Sequence, residues 1–425
     1  MSQELCNCLV AQSGGPTAAI NASLAGVIKA CRESGKIGTI YGAINGIQGV
    51  LSRNIVDMNT LIGTSDENIE ILKISPAMYL GSCRYKLESL ETAINQLIPE
   101  YERIDDYTCI FNILNEYGIK YFFYIGGNDS MDTVRKLGAY GKSIDSPIRI
   151  IGIPKTIDND LPVTDHTPGY GSAARYIATS MLEMAYDTSI YSTKSVLVVE
   201  IMGRNAGWLT AASALARTEF SDAPHLIYLP ERNFSDAQFL SDLREKMKDR
   251  DHVIIAVSEG IHYEDGTYVS SAGAVKDQFG HTMLNGAGRY LAKLVSAKMG
   301  CKVRSVELNV LQRCAAHMSS LTDIDESFEL GKKGVEAALA GKSELMSIVK
   351  REKTKDGSYK VSYDLVDVSK VANLEKKVPD KWINEAGNDI TDEFIEYARP
   401  LIQGEPVIEY KNGLPVYLTI RHLGV

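Results

Sequence analysis

The run Tyr121-Phe122-Phe123-Tyr124-Ile125, followed at once by Gly126-Gly127-Asn128-Asp129-Ser130, reads as a strand, a glycine turn and the polar start of a helix. A continuous apolar run, unlike an alternating one, suits a strand covered on both faces. The design recurs along the chain. Cys8 to Ala11 is closed by Ser13-Gly14-Gly15-Pro16, and Ile148 to Ile153 ends at Pro154. Ser195 to Ile201 and Val253 to Val257 are two more such runs. Between them lie helix-compatible stretches, such as Ala18 to Cys31 with Ile20, Leu24, Val27 and Ile28 on one side. Strand, turn and helix in this order predict an α/β protein with mostly parallel sheets flanked by helices. Buried helix segments are the competing reading. The runs are short and end in Gly or Pro, which favours strands.

Length and composition fit that class. The 425 residues suggest two or three lobes, with enough chain for a large core. Hydrophobic residues make up 44% and charged residues 23%, which excludes a disordered chain and a disulfide miniprotein. The net charge of −9 argues against nucleic acid and anionic membranes as partners, because both select a basic face. Seven scattered cysteines read as reduced thiols of a cytoplasmic protein. No signal peptide is visible, and no apolar run nears the ~20 residues that span a bilayer.

After Ser343 the texture changes. Lys350 to Lys360 is charged and turn-rich, and Pro379 to Gly387 is largely polar. This tail is expected to elaborate the last lobe.

Ligands of open parallel sheets bind beyond the carboxyl ends of the strands, so the glycine-rich strand ends are the places to search. Ser13-Gly14-Gly15 could admit a phosphate close to backbone N–H groups at a helix start, or be a plain tight turn. Gly126-Gly127-Asn128-Asp129-Ser130 could hold phosphate oxygens or hydrated Mg²⁺, or be a helix cap. Lys155-Thr156-Ile157-Asp158-Asn159-Asp160 sets two carboxylates two residues apart beside a lysine. One acid there could take a hydroxyl proton, and the lysine could supply charge for phosphoryl transfer. Met202-Gly203-Arg204 places an arginine that can clamp a phosphate bidentately. Ser258-Glu259-Gly260 and Leu311-Gln312-Arg313 follow further on. Singly, most of these are as compatible with surface turns.

Together, and in this order, they resemble the phosphofructokinase family. The matching residues are Ser13-Gly14-Gly15, Gly126-Gly127-x-x-Ser130, Thr156-Ile157-Asp158-Asn159-Asp160, Met202-Gly203-Arg204, Glu259-Gly260 and Gln312-Arg313. The resemblance spans about residues 5–345 and implies two lobes with the active site in the cleft between them. A division near 1–169 plus 312–350 for the donor lobe, and 170–311 plus 351–425 for the sugar-phosphate lobe, is expected. The resemblance further implies phosphoryl transfer to the C1 hydroxyl of fructose 6-phosphate, with Mg²⁺. It makes Asp158 the general base, Asp160 its acidic neighbour and Thr156 a residue beside the transferred group. Met202, Gly203, Arg204 and Glu259 would form the sugar-phosphate pocket, with Arg313 as a clamp on the 6-phosphate. Gly15, Arg84 and Ser130 would bind the donor. Arg304 resembles an arginine that family members lend across a subunit interface, which implies a homodimer or homotetramer.

The phosphoryl donor is where this chain is most informative. ATP-using members of the bacterial type carry Gly-Gly-Asp-Gly-Ser, and a glycine before Thr-Ile-Asp-Asn-Asp. Here those glycine positions hold Asp129 and Lys155. A carboxylate where an α-phosphate would lie repels it and fills its space. The lysine can replace charge that a nucleotide-bound site would supply. The pyrophosphate-dependent branch of the family carries both substitutions, so inorganic pyrophosphate is the expected donor and a reversible reaction is implied. An ATP-dependent kinase and a non-catalytic subunit are the alternatives, and intact Asp158, Asp160 and Arg204 argue against the latter. Asn128 stands where most members have an Mg²⁺-binding Asp, so the ion is expected at Asn128 through water, or at Asp129. Val310 replaces the His or Tyr of the sugar pocket.

Overall fold

The computed structural model describes residues 5–88, 105–269 and 286–420. Eleven strands among them build two sheets. They are β1 (Cys6–Gln12), β2 (Ile37–Ala43), β3 (Ile55–Asp57), β4 (Ile119–Gly126), β5 (Arg149–Pro154), β6 (Ser195–Ile201), β7 (Leu226–Tyr228), β8 (His252–Ser258), β9 (Lys302–Glu307), β10 (Leu345–Arg351) and β11 (Val361–Asp367). The first sheet runs β11-β10-β5-β4-β1-β2-β3, and the second β7-β8-β6-β9. In the first sheet, β10, β5, β4, β1 and β2 are parallel, with β11 and β3 antiparallel at the edges. The second sheet is parallel throughout.

The unbroken apolar runs are explained by what covers them. Successive side chains of a strand point to opposite faces. Leu9 and Ala11 enter one core with Phe122, Tyr124 and Ile150. Cys8 and Val10 enter the other core with Phe123, Ile125 and Ile151. Both faces of the sheet are therefore packed, and no polar alternation survives in the sequence. On the second face the helices Ile20–Ser34 and Leu321–Leu339 cross closely. A Cβ on Gly26 would sit 2.0 Å from the Phe328 carbonyl oxygen, and one on Gly331 2.2 Å from that of Ser23. Only glycine permits this approach.

The expected division of the tail needs correction. Residues 351–367 do not join the sugar-phosphate lobe: β11 pairs with β10 from Leu345↔Asp367 to Arg351↔Val361, extending the first sheet. Of the turn-rich Lys350 to Lys360 stretch, Lys350 and Arg351 end β10 and residues 352–360 form the connection between the two strands. The chain then passes to the second lobe, where Val378, Ile383, Ile390, Phe394, Ala398 and Leu401 share a core with Trp208, Leu209 and Val199. Among the described residues no helix is long and apolar enough to cross a membrane.

Candidate active site

The carboxyl ends of β1, β4, β5, β6 and β8 converge on one cavity of about 570 Å³. Its lining includes Gly15, Arg84, Asp129, Ser130, Lys155, Thr156, Asp158, Asp160, Met202, Arg204, Glu259 and Arg313, from segments far apart in sequence.

The turn after β1 is shaped by its neighbour. Gly14 N–H donates to the Cys83 carbonyl at 3.1 Å and Ser82 Oγ to the Gly14 carbonyl at 2.6 Å, which brings Arg84 to the cavity. Lys155, directly after β5, is buried and donates its ammonium to the Gly15 carbonyl at 2.7 Å. Burial pushes its pKa down to about 8, against the pull of Asp158 and Asp160. After β4, a Cβ on Gly126 would stand 1.9 Å from Ser130 Oγ, so glycine is needed for Ser130 to fold back over the turn. The helix Asn128–Ser143 starts there, with Asp129 in its first turn at the cavity wall.

Asp158 N–H donates to Thr156 Oγ1 at 3.1 Å, and Thr156 Oγ1 reaches Asp158 Oδ2 at 3.4 Å. The Asp158 carboxyl is raised by burial, opposed by Lys155 and Arg204. Asp160 is pushed up to about 7 by burial, then by Asp158 and Glu375. Two acids this close in a desolvated site titrate as a pair. Asp160 Oδ1 and Arg204 Nε are buried with no hydrogen-bond partner. Unfilled bonding capacity of this kind, at a cavity wall, suits a ligand.

At the end of β6, Gly203 takes φ 134°, a value open to glycine. Its carbonyl accepts from Ser258 Oγ at 2.6 Å, and its N–H donates to Glu259 Oε1 at 3.3 Å. Burial pushes Glu259 up to about 7. Met202 N–H donates to Gln312 Oε1 at 3.1 Å, which ties the Gln312-Arg313 segment to this strand end. Arg313 leans toward the turn after β1, since a Cβ on Gly15 would lie 3.6 Å from its Nη1.

Gly203 supports the cavity wall without lining it, Val310 and Asn128 depart from expectation, and Arg304, expected to serve across a subunit interface, lies outside this chain's cavity. Arg304 lies away from the cavity, half exposed, with an Nη 4.0 Å from Asp187. Val310 is exposed and does not line it. Asn128 lines the cavity, but its amide is committed: Nδ2 donates to the Leu374 carbonyl at 2.6 Å, and Oδ1 accepts from Asn373 N–H. An amide used on both sides is a poor metal ligand. The wall it meets, Asn373, Leu374 and Glu375, together with Lys86 and Asn205, was not anticipated. Asn205 could have been found as the neighbour of Arg204. The segment 373–375 carries no motif that marks it.

Mg²⁺ prefers a few carboxylates and keeps phosphate or water oxygens as its remaining ligands. Among the described residues no group of three or more His, Cys, Asp or Glu could hold a metal. A single cavity carboxylate such as Asp129, completed by phosphate oxygens, fits that chemistry.

A family model described as phosphofructokinase matches residues 7–338. The chain is 42% identical over 412 residues to a pyrophosphate–fructose 6-phosphate 1-phosphotransferase of Halomonas elongata, covering 96% of this chain and 94% of that protein. It is 39% identical over 422 residues to a protein of the same name from Methylococcus capsulatus, covering 99% and 97%. The crystal structure of a pyrophosphate-dependent phosphofructokinase from Marinobacter aquaeolei superposes with a TM-score of 0.84 at 37% identity, covering 97% of this chain and 95% of that one.

Proposed function

The chain belongs to the phosphofructokinase family, and we infer from its cleft that it transfers a phosphoryl group from pyrophosphate to the C1 hydroxyl of fructose 6-phosphate. The observation that carries this reading is the pairing of a buried Lys155 with Asp129 on the walls of one cavity, where ATP-using relatives have two glycines. Lys155 brings positive charge to the donor turn, and Asp129 bars the α-phosphate of a nucleotide.

In this mechanism the C1 oxygen attacks the near phosphorus of pyrophosphate. The anhydride P–O bond breaks, inorganic phosphate leaves, and the C1 proton passes to Asp158. Asp158 is held for this by Thr156, and burial raises its affinity for a proton. Lys155 and Arg84, with Gly15 and Ser130 beside them on the cavity wall, face the donor and stabilise charge as it shifts toward the leaving phosphate. Arg204, Met202 and Glu259 hold the sugar phosphate, with Gly203 shaping the strand end that presents them, and Arg313 bridges the two halves of the cleft. Mg²⁺, which the family generally uses, would be held at Asp129 and would supply positive charge to the phosphoryl groups. One phosphoanhydride is exchanged for one phosphate ester, so the reaction runs in both directions. Arg304, outside its own cavity, reaches a neighbouring subunit's sugar-phosphate site in a homo-oligomer.

The test is the rate of fructose 1,6-bisphosphate formation with Mg²⁺, with pyrophosphate and ATP supplied in parallel. Activity with pyrophosphate alone is expected, together with phosphate-dependent reversal. Activity with ATP alone would overturn the donor assignment.

A further inference from the structure

The cleft is completed by a strap that the family-like motifs do not include. Residues 373–376 run across both lobes. On the donor side, Asn373 N–H and the Leu374 carbonyl are gripped by Asn128, and Asn373 Nδ2 donates to Asp132 at 2.9 Å. On the sugar side, Asn205 Nδ2 donates to Glu375 at 2.7 Å, and Trp208 Nε1 donates to the Lys376 carbonyl at 2.8 Å. An aspartate at position 128 could accept from Asn373 but could not donate to Leu374.

The strap delivers Lys376 beneath the acidic turn. Its N–H donates to the Asp160 carbonyl at 2.6 Å. Its ammonium donates to the carbonyls of Asp165 at 2.9 Å and Thr164 at 3.2 Å, and to Asn159 Oδ1 at 3.4 Å. Those are as many acceptors as an ammonium has protons. The same ammonium lies 5.1 Å from the centre of the Trp208 ring. The charged groups that face it are Asp160 on the turn, Asp165 behind it and Arg351 from β10.

The turn needs such a hold. Asn159 (φ 52°) and Val163 (φ 70°) are both left-handed, and for a β-branched valine that conformation is strained. It persists only where its surroundings over-determine it.

We propose that Lys376 is a positioning residue for phosphoryl transfer, tethering the turn that carries Asp158 and Asp160 from a strap that Asn128 latches across the cleft. The proposal rests on reading the cleft as the phosphoryl-transfer site.

The full chain is compared as wild type, Lys376→Met and Asn128→Ala, by steady-state kinetics and by hydrogen exchange. Lys376→Met keeps the length and bulk of the side chain but not its three donors. It is expected to lower kcat about 10- to 100-fold, with KM for fructose 6-phosphate and pyrophosphate within about threefold of wild type. Amides of residues 159–165 exchange faster in it. Asn128→Ala is expected to speed exchange at 373–376 and to lower kcat about 3- to 10-fold. A folded Lys376→Met with wild-type kcat, or with a raised KM alone, would overturn the proposal. If Lys376→Met does not fold, wild-type kcat in Asn128→Ala with a loosened strap would do so. Hydrogen exchange needs no turnover. A wild type inactive with pyrophosphate would therefore count against the proposed function, while unchanged exchange at 159–165 would count against the tether.

Discussion

The Lys155 ammonium donates to the Gly15 carbonyl at 2.7 Å, so the residue that replaces a glycine after β5 is stitched to the turn after β1. The cation is therefore held at the donor end of the cleft before any ligand arrives, and its placement needs little reorganisation when charge develops there.

From that follows a donor swap. Asp129→Gly with Lys155→Gly removes the repelling carboxylate and empties a buried volume beside Gly14 and Gly15. The double variant should lose pyrophosphate activity by at least about 10²-fold and gain measurable ATP activity. Rates with the two donors at fixed fructose 6-phosphate check this. Unchanged pyrophosphate activity with no gain for ATP would refute the selector roles.

Asp158→Asn keeps shape and hydrogen bonding but cannot accept the proton. Turnover should fall on the order of 10²–10⁴-fold, with little change in sugar-phosphate affinity measured by calorimetry. Surviving turnover would assign the base elsewhere.

The pH profile should be a narrow bell. Asp158 is raised and Asp160 is pushed up to about 7, so the pair loses its protons as pH rises toward neutrality and activity climbs. Lys155, pushed down to about 8, loses its proton on the alkaline side and activity falls. Plots of kcat/KM against pH should show limbs near those values. A flat profile from pH 6 to 9 would exclude both assignments.

Stability should carry a separate pH signature. Buried His166 lies between Asp165, at 2.8 Å, and Glu326. Burial alone would lower its pKa, but the two carboxylates more than offset this and push it up to about 9. A raised folded-state pKa contributes stability that is complete below the unfolded value near 6.5 and is lost as pH rises through about 9. Wild type should exceed His166→Gln by about 3 kcal/mol at pH 6 in urea unfolding, and the gap should shrink by pH 9.5. A gap independent of pH would mean that His166 is neutral in the fold.

Gly260 should be intolerant of alanine. A Cβ there would sit 1.9 Å from the Arg204 carbonyl oxygen, so the backbone that presents Arg204 must move. Gly260→Ala should raise KM for fructose 6-phosphate about tenfold or more, while the KM for pyrophosphate changes less. Equal effects on both would place Arg204 in the donor half.

Much of this protein is legible in its sequence for a local reason. Runs such as Tyr121 to Ile125 are strands covered on both faces, and they end in glycines because backbone and ligand must approach there. Asp158, Lys155, Arg204 and Glu259 lie within a few residues of such ends, so finding the strand finds the residue. Asn128 was legible as a cavity residue but not in what it binds, because its partners lie some 245 residues away.

The sequence by itself determined the α/β class and the turns that carry the acids and cations, since each is written in a short local stretch, and the preference for pyrophosphate through the family resemblance that Asp129 and Lys155 carry. Only the tertiary structure decided that β11 joins the first sheet, that Arg304 lies outside its own cavity, and that residues 373–376 cross the cleft from Asn128 to Asn205 and set Lys376 against the acidic turn. Those outcomes depend on hydrogen bonds and packing between distant segments, and no periodicity or spacing within a single segment encodes them.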